Sequence, residues 1–317
     1  MSEVKLSYVI TTFNKLPHLK EVLRLLIENV RHDEEIVITD GGSSDGTQAF
    51  LQNLFKQGKI KRYISEKDRG EAHGYNKSML MAKGDLIKII TDDDVFYYPA
   101  IRECRQFMEA HMEIDAIVGN NCTGYSRNLA PPFLNPEMRL EFEKWIRGEQ
   151  NTFYCNGLPL MIRKSSLSLL GLFNPRFLCV DIEYTIRTGS IANYAFATRF
   201  IATRIINDQS NSDRFVERCK LEQRQLCKIY DYSIPPTWVD DEIIKVERSG
   251  WWRFKNYINS MLPTRKQVVC PRQENVEVAQ SVEKMGLDCV HQYYYTELEK
   301  LNQKIDSSFL TKNKIEA

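Results

Sequence analysis

Short apolar runs alternate with amphipathic segments through the first hundred residues, and this alternation restricts the chain to few folds. The runs with strand character are Leu6–Phe13, Ile36–Asp40, Ile60–Glu66 and Leu86–Thr91. One helix begins at Pro17, and another runs from Glu71 to Lys83 and ends with Gly84 as a left-handed cap. Strands and helices joined by short links predict an α/β fold with a doubly wound, mostly parallel sheet.

Polar side chains stand at the carboxyl ends of three of these strands. They are Thr11 to Asn14, then Asp40, and then the triplet Asp92, Asp93 and Asp94. In a parallel sheet these ends open on one edge, where α/β proteins bind ligands. Adjacent carboxylates repel one another unless a cation or donors intervene, and a hard divalent ion with a bound diphosphate meets that need. We therefore expect a nucleotide pocket, with a ring stacked on Phe13 and a metal at the diphosphate.

The acidic triplet also has a second interpretation. An isolated triplet is more often a solvated loop, in which Asp94 caps the helix that follows near Pro99. The two other polar strand ends reverse that preference, because three independent polar ends at one edge indicate a site.

Composition and missing motifs exclude several classes of function. The net charge is +1, from 43 Lys and Arg against 42 Asp and Glu, so nothing favours a nucleic-acid partner. The sequence contains neither GxGxxG after the first strand nor GxxxxGK[ST], which disfavours dinucleotide oxidoreductases and P-loop enzymes. The eight cysteines form no CxxC pair, and the start of the chain shows no signal peptide. Together with the lack of an 18-residue apolar window, this predicts a cytoplasmic protein with reduced thiols.

Five motifs in the first hundred residues resemble those of family-2 glycosyltransferases of the GT-A fold. They are VITTFN at 9–14, ITDGGSSDGT at 38–47, SEKDRGEAHGYNK at 65–77, AKGDL at 82–86 and ITDDDVF at 90–96. Further resemblance lies in RKSSLSLLGLFN at 163–174 and VDIEYTIR at 180–187. Each motif is degenerate alone, but the set in this order is specific and covers roughly the first 215 residues.

The resemblance implies transfer of a sugar from a nucleotide diphosphate donor to an acceptor hydroxyl, with inversion at the anomeric carbon. It assigns the binding of the donor to Thr11, Phe13, Asn14, Asp40, Asp68, Arg69, Asn76 and Asp92. It assigns the divalent cation, Mn²⁺ or Mg²⁺, to Asp93 and Asp94. The first position of the family's DxD-like triplet is Thr91 here, which leaves open which of the three aspartates ligate the metal.

Asp181 is the candidate catalytic base, because VDIEYTIR resembles the family segment that carries it. A carboxylate can take the proton of the attacking hydroxyl. Glu183 is the rival, although two residues along a helix it faces elsewhere. The alternative for Asp181 is a cap on the helix Ile182–Arg187. The segment 156–159 is expected on the acceptor side.

The resemblance places a catalytic domain at 1–215, with a nucleotide-sugar half at 1–98 and an acceptor half at 99–215. A mainly helical extension is predicted at 216–317, including one or two helices within 274–304. Within 251–263, apolar residues recur as a stripe with basic residues beside it. That pattern fits a helix at a membrane interface, at the inner face of the cell membrane, but more often it packs on the protein's own core.

The expected partners are a UDP-, GDP- or dTDP-sugar and a glycan or lipid-linked acceptor, in polysaccharide or glycolipid assembly. Two alternatives stay open: a non-catalytic protein that binds nucleotide sugars, and a sugar nucleotidyltransferase. The second is disfavoured because the segment after the first strand, Thr11–Lys15, has no glycine. The sequence predicts neither the particular donor and acceptor nor the oligomeric state.

Overall fold

The computed structural model describes residues 4–207, 210, 214–233 and 286–312. The strands in these residues are β1 (Leu6–Thr12), β2 (Glu34–Asp40), β3 (Arg62–Ser65), β4 (Leu86–Ile90), β5 (Val95–Phe96), β6 (Ala116–Tyr125), β7 (Asn128–Leu134), β8 (Met161–Arg163), β9 (Tyr194–Ile206) and β10 (Phe309–Leu310). The α-helices are α1 (Leu16–Asn29), α2 (Thr47–Lys56), α3 (Glu71–Met81), α4 (Tyr98–Ala110), α5 (Glu137–Ile146), α6 (Leu167–Leu170), α7 (Val180–Thr188), α8 (Val216–Ile229) and α9 (Leu287–Asn302).

These strands form one sheet with the main order β10-β9-β6-β8-β4-β1-β2-β3, while β5 pairs with β9 and β7 pairs with β6. The first half, β3-β2-β1-β4, is parallel. In the second half β8 is antiparallel to both β4 and β6, whereas β6 and β9 are parallel. The predicted α/β class is confirmed, and the parallel order belongs to the half that carries the polar strand ends.

Helices cover both faces of the sheet. Successive side chains of β1 point to opposite faces, and each face packs against a different set of helices. Leu6, Tyr8 and Ile10 pack in one apolar cluster with residues of α1, α4 and α9. Val9 packs in a second cluster with residues of α3, α5 and α7. All four side chains are fully buried, so β1 is a central strand and its carboxyl end is held rigidly.

Gly84 does not have the left-handed conformation that we expected of a helix cap. Helix α3 ends at Met81, and Gly84 is not among the glycines with positive φ. A Cβ built on Gly84 would lie 2.7 Å from the backbone nitrogen of Ser7, closer than real Cβ atoms approach. The glycine is therefore required because the chain passes directly against β1.

The C-terminal residues 286–312 pack on the sheet. Tyr294 and Leu298 of α9 are fully buried in the cluster on the α1 face, and β10 pairs with β9. A helix within 274–304 is thus confirmed, whereas the apolar stripe at 251–263 lies outside the described residues. The boundary at 215 stays a prediction. No helix in the described part of the chain is both long and apolar enough to cross a membrane.

Candidate active site

The carboxyl ends of β1, β2 and β4 meet at one edge of the sheet, as the sequence predicts. Thr12 of β1 lies opposite Asp40 of β2. The buried Asp40 carboxylate accepts hydrogen bonds from the backbone and hydroxyl of Ser43 and from the hydroxyl of Ser65. These bonds fasten the loop after β2 to the end of β3, so Asp40 organises the edge of the pocket.

Phe13 and Asn14 lie directly after β1 and differ in their surroundings. The Phe13 side chain is 58% exposed, unlike the apolar residues of β1, and its ring is available to a ligand. Asn14 has a left-handed φ of 52°. Its side-chain oxygen accepts from the backbone N–H of Ser44 at 2.8 Å, and its own N–H donates to the Ser43 hydroxyl at 2.8 Å. Asn14 therefore joins the loops after β1 and β2.

Asp68 reaches the same edge because helix α3 packs unusually close to β1. A Cβ built on Gly74 would lie 1.9 Å from Oγ1 of Thr11 and 3.2 Å from the Asp68 carboxylate. The Asp68 carboxylate accepts from the N–H of Gly70 at 2.9 Å, which fixes the turn before α3. The neighbouring Arg69 is exposed. Thr11 and Asp68 thus lie together beside Gly74, and the donor contacts of Thr11, Asp68 and Arg69 stay predictions.

Asn76 makes a different contact from the one we expected with a donor. Its amide donates to the carbonyl of Phe173 at 2.8 Å, and its oxygen accepts from the N–H of Phe173 at 2.9 Å. Both polar ends of the side chain are used in this way. Asn76 therefore links α3 to the loop before α7 and does not point its amide at the nucleotide position.

The three aspartates after β4 are all buried, but they have different partners. Asp94 accepts from the Thr91 hydroxyl at 2.6 Å through Oδ2 and from the Ile205 backbone at 2.7 Å through Oδ1. Burial, together with the charge of Asp93, raises the pKa of Asp94 to about 7. One oxygen of Asp94 thus accepts from β9 and the other from its own loop, whereas Asp92 and Asp93 share a cation; the role of Asp94 as a metal ligand stays a prediction.

Asp92 and Asp93 share a cationic partner that the sequence analysis missed. Lys15 donates from Nζ to Oδ2 of Asp93 at 2.7 Å and to Oδ1 of Asp92 at 3.1 Å. Asn207 also donates to Oδ2 of Asp93, at 3.0 Å. Burial opposes the charged form of Lys15, but the two carboxylates outweigh it and raise its pKa. Burial alone would raise the pKa of Asp93, but Lys15 lowers it.

The Asp92 and Asp93 pair has the chemistry that a divalent cation needs. Two carboxylates converge on one cation position, which Nζ of Lys15 marks. Mg²⁺ and similar ions are commonly held by one or two carboxylates together with substrate phosphates. Within the described ranges no three His, Cys, Asp or Glu side chains are grouped closely enough to hold a metal by themselves. The pair thus fits an ion that arrives with a phosphate ligand.

Asp181 lies in the first turn of α7, and it is partly buried. Oδ2 accepts from the N–H of Gly157 at 2.7 Å, and Oδ1 accepts from the N–H of Ile182 at 2.8 Å. Burial raises the pKa of Asp181 in spite of these bonds. The positive charge of Arg204 acts to lower the pKa of both Asp94 and Asp181, against the effect of burial. Both carboxylates therefore lie within electrostatic range of one guanidinium.

Glu183, the rival base, is committed elsewhere. It is fully buried, accepts from Arg187 at 2.8 Å and accepts from the Tyr230 hydroxyl at 2.9 Å. The Arg187 contact lies within α7, and the Tyr230 contact ties α7 to the residue that follows α8. Glu183 is therefore committed to contacts within the fold, and the choice of Asp181 as the base stays a prediction.

The loop 156–159 is held against the sheet by a buried lysine. Lys88 of β4 is fully buried and donates from Nζ to the carbonyl of Leu158 at 2.6 Å. Burial lowers the pKa of Lys88 to about 7. The same loop presents the Gly157 N–H to Asp181, so Lys88 helps to hold the segment that contacts this carboxylate.

Comparison with known proteins identifies a family. The sequence model described as "Glycosyl transferase family 2" matches residues 7–171, more than half of the chain. A Campylobacter jejuni protein named GalNAc(5)-diNAcBac-PP-undecaprenol beta-1,3-glucosyltransferase is 28% identical over 131 residues, which is 41% of this chain and 42% of that protein. Glycosyltransferase GlyG of Streptococcus pneumoniae is 26% identical over 121 residues, 38% of this chain and 40% of that protein. The matches therefore span less than half of either relative.

Two solved structures share the fold at low sequence identity. S. aureus TarS 1–349 in complex with UDP-GlcNAc superposes with a TM-score of 0.55 at 14% identity, covering 71% of this chain and 66% of that one. The mannosyltransferase PcManGT from Pyrobaculum calidifontis, in complex with GDP-Man and Mn²⁺, superposes with a TM-score of 0.55 at 17% identity. The superposition covers 74% of this chain and 67% of that one. At such identities the similarity establishes the GT-A fold alone.

Proposed function

The chain belongs to glycosyl transferase family 2, and from that premise we propose that it transfers a sugar from a nucleotide diphosphate donor to an acceptor hydroxyl. The observation that carries the proposal is the single edge at which Asp40, Asp68 and the Asp92–Asp93 pair lie together. A nucleoside needs a flat apolar surface and hydrogen-bond acceptors. The exposed ring of Phe13 supplies the surface, and Asp40 is proposed to accept from the nucleoside in exchange for one of its present bonds to Ser43 and Ser65.

We infer that Asp92 and Asp93 hold a divalent cation, Mn²⁺ or Mg²⁺, when the donor is bound. Such an ion acts as a Lewis acid that stabilises the charge developing on the leaving diphosphate. Arg69, which is exposed and follows Asp68, is proposed to add positive charge at the diphosphate. PcManGT, a neighbour in fold, has Mn²⁺ in its complex with GDP-Man, which supports the use of a divalent cation.

Asp181 is proposed as the general base of an inverting transfer. A base must hold its carboxylate where the acceptor hydroxyl attacks, and the Gly157 N–H fixes Oδ2 of Asp181 at 2.7 Å. Burial disfavours the charged carboxylate and so increases its tendency to take a proton. Attack from the face opposite the leaving diphosphate inverts the anomeric centre.

The acceptor is proposed to be a glycan or a lipid-linked sugar, in polysaccharide or glycolipid assembly. The support is the name of the C. jejuni relative, which specifies an undecaprenol-linked acceptor. Association with a membrane through 251–263 is part of this proposal, although that segment lies outside the described residues.

A panel of UDP-, GDP- and dTDP-sugars, tested by thermal shift with and without Mn²⁺, examines the proposed donor. We expect one nucleotide class to raise the melting temperature, and Mn²⁺ to increase the shift, because a ligand of the native state stabilises it. Stabilisation without product, across varied acceptors, would instead favour the non-catalytic binding protein. No shift with any nucleotide sugar would contradict donor binding.

A further inference from the structure

The ion pair between Lys15 and the two aspartates is more buried than the surface lysine pairs of this protein. Nζ of Lys15 lies 2.7 Å from Asp93 and 3.1 Å from Asp92, and the three side chains are only 13%, 9% and 9% exposed. Surface lysine pairs such as Lys5–Asp85 have 38% and 57% exposure. A lysine ammonium thus holds the position at which two carboxylates converge.

The ammonium and a divalent cation cannot occupy this position together. Both need the same carboxylate oxygens, and two cations at such a short separation repel each other strongly where little water screens them. Removing the ammonium without replacement would leave two adjacent buried carboxylates, which is also unfavourable. The arrangement therefore requires one cation at a time.

Release of Lys15 requires only a change in its side chain. The carbonyl of Lys15 accepts from the N–H of Leu19 at 3.0 Å, which fixes the backbone to the first turn of α1. The Asn14 side chain fixes the preceding residue to Ser44. From this anchored backbone, the flexible four-carbon stem keeps the ammonium near the edge that we propose for the diphosphate.

We propose that Lys15 is a tethered counter-ion that competes with the divalent cation for Asp92 and Asp93, and that it passes to the donor's phosphate oxygens when the cation enters. This inference rests on the proposed function. Metal alone must break the ion pair without offering Lys15 a new partner. Metal with a nucleoside diphosphate offers that partner, so the two ligands bind cooperatively, and the coupling is reciprocal.

Mn²⁺ titration followed by electron paramagnetic resonance tests this competition without any need for turnover. The proteins are wild type, Lys15→Met, Lys15→Arg, and Lys5→Met as a control that removes an exposed lysine pair. Without nucleotide we expect Lys15→Met to bind Mn²⁺ at least about tenfold more tightly than wild type, within the usual range of site coupling. Lys15→Arg, which retains the cation, and Lys5→Met should resemble wild type. UDP or GDP should increase Mn²⁺ affinity more in wild type than in Lys15→Met.

Equal or weaker Mn²⁺ binding by folded Lys15→Met would overturn the inference. Should that variant not fold, the wild-type protein gives a second measurement, acetylation of Lys15 by a water-soluble ester, quantified by peptide mass spectrometry. Saturating Mn²⁺ should increase labelling of Lys15, and unchanged labelling would overturn the inference. Nucleotide-sugar binding with no Mn²⁺ binding in any protein would overturn it while leaving donor recognition in place.

Discussion

The backbone N–H of Gly157 donates to Oδ2 of Asp181 over 2.7 Å. This bond joins the loop 156–159 to the first turn of α7, so the position of the carboxylate depends on a segment that β4 supports through Lys88. The bond satisfies one lone pair of Oδ2 and leaves the other for a hydroxyl. The loop passes close to α7 there, since a Cβ built on Gly157 would lie 3.2 Å from Cβ of Asp181.

Asp181→Asn should bind the donor normally and lose transfer by about 10²–10⁴-fold, the usual contribution of a general base. The amide has nearly the shape of the carboxylate but cannot take the proton. Donor affinity by calorimetry and turnover by nucleotide release separate the two effects. Asp85→Asn, at an exposed pair, is the control. Turnover near that of wild type would contradict the role of Asp181.

The pH dependence of transfer should reflect the raised pKa of Asp181. Burial raises its pKa above the ordinary value of 3.8, and a base must be deprotonated to act. Activity should therefore be present above the raised pKa and be lost as pH falls through it. The measurement is kcat/KM against pH, with circular dichroism to verify folding at each point. An acidic limb at the ordinary aspartate value would contradict a desolvated base.

Gly74→Ala should weaken donor binding and destabilise the fold by about 1–3 kcal/mol, as inserted core methyl groups do. The new Cβ would lie 1.9 Å from Oγ1 of Thr11, so α3 must shift away from β1 and take Asp68 with it. Denaturant unfolding and donor titration measure the two effects. Leu80→Ala, at an exposed position of α3, is the control for a substitution in this helix that leaves its packing on β1 unchanged. Unchanged donor affinity in Gly74→Ala would show that this close packing does not shape the pocket.

Lys88→Met should change how stability depends on pH. Burial lowers the folded-state pKa of Lys88 from 10.5 to about 7, so between these values the unfolded chain binds the extra proton. The free energy of unfolding of wild type, relative to that of the variant, should therefore rise with pH between about 7 and 10.5. This gain in stability should be lost as pH falls to about 7. Chemical denaturation at several pH values measures the difference. Parallel pH curves for the two proteins would show that Lys88 keeps an ordinary pKa.

The polar edge of the sheet was predictable from sequence, because the polar residues directly follow the apolar residues of each strand. Thr11, Asp40 and Asp93 lie at ends that periodicity locates, and parallel order then brings these ends together. Lys15 stands at the same strand end, directly after Asn14, and that location was the available signal for a cationic partner of the aspartates.

Contacts between distant segments were not predictable in this way. Asn76 meets Phe173 across 97 residues, and Asp94 meets Ile205 across 111 residues. Both depend on how the second half of the sheet is ordered, with β8 inserted between β4 and β6. A three-residue strand such as β8 carries too little pattern to reveal its place. The contacts of Asn76 and Asp94 follow from that unpredicted arrangement.

The most direct measurement is release of nucleoside diphosphate from UDP-, GDP- and dTDP-sugars by wild type and Asp93→Ala, with and without Mn²⁺. Asp93 accepts from Lys15 and Asn207 and lies at the proposed cation position. We expect Mn²⁺-dependent release from one donor class by wild type, and its loss in folded Asp93→Ala. Equal release by both proteins, or no release from any donor by wild type, would contradict it.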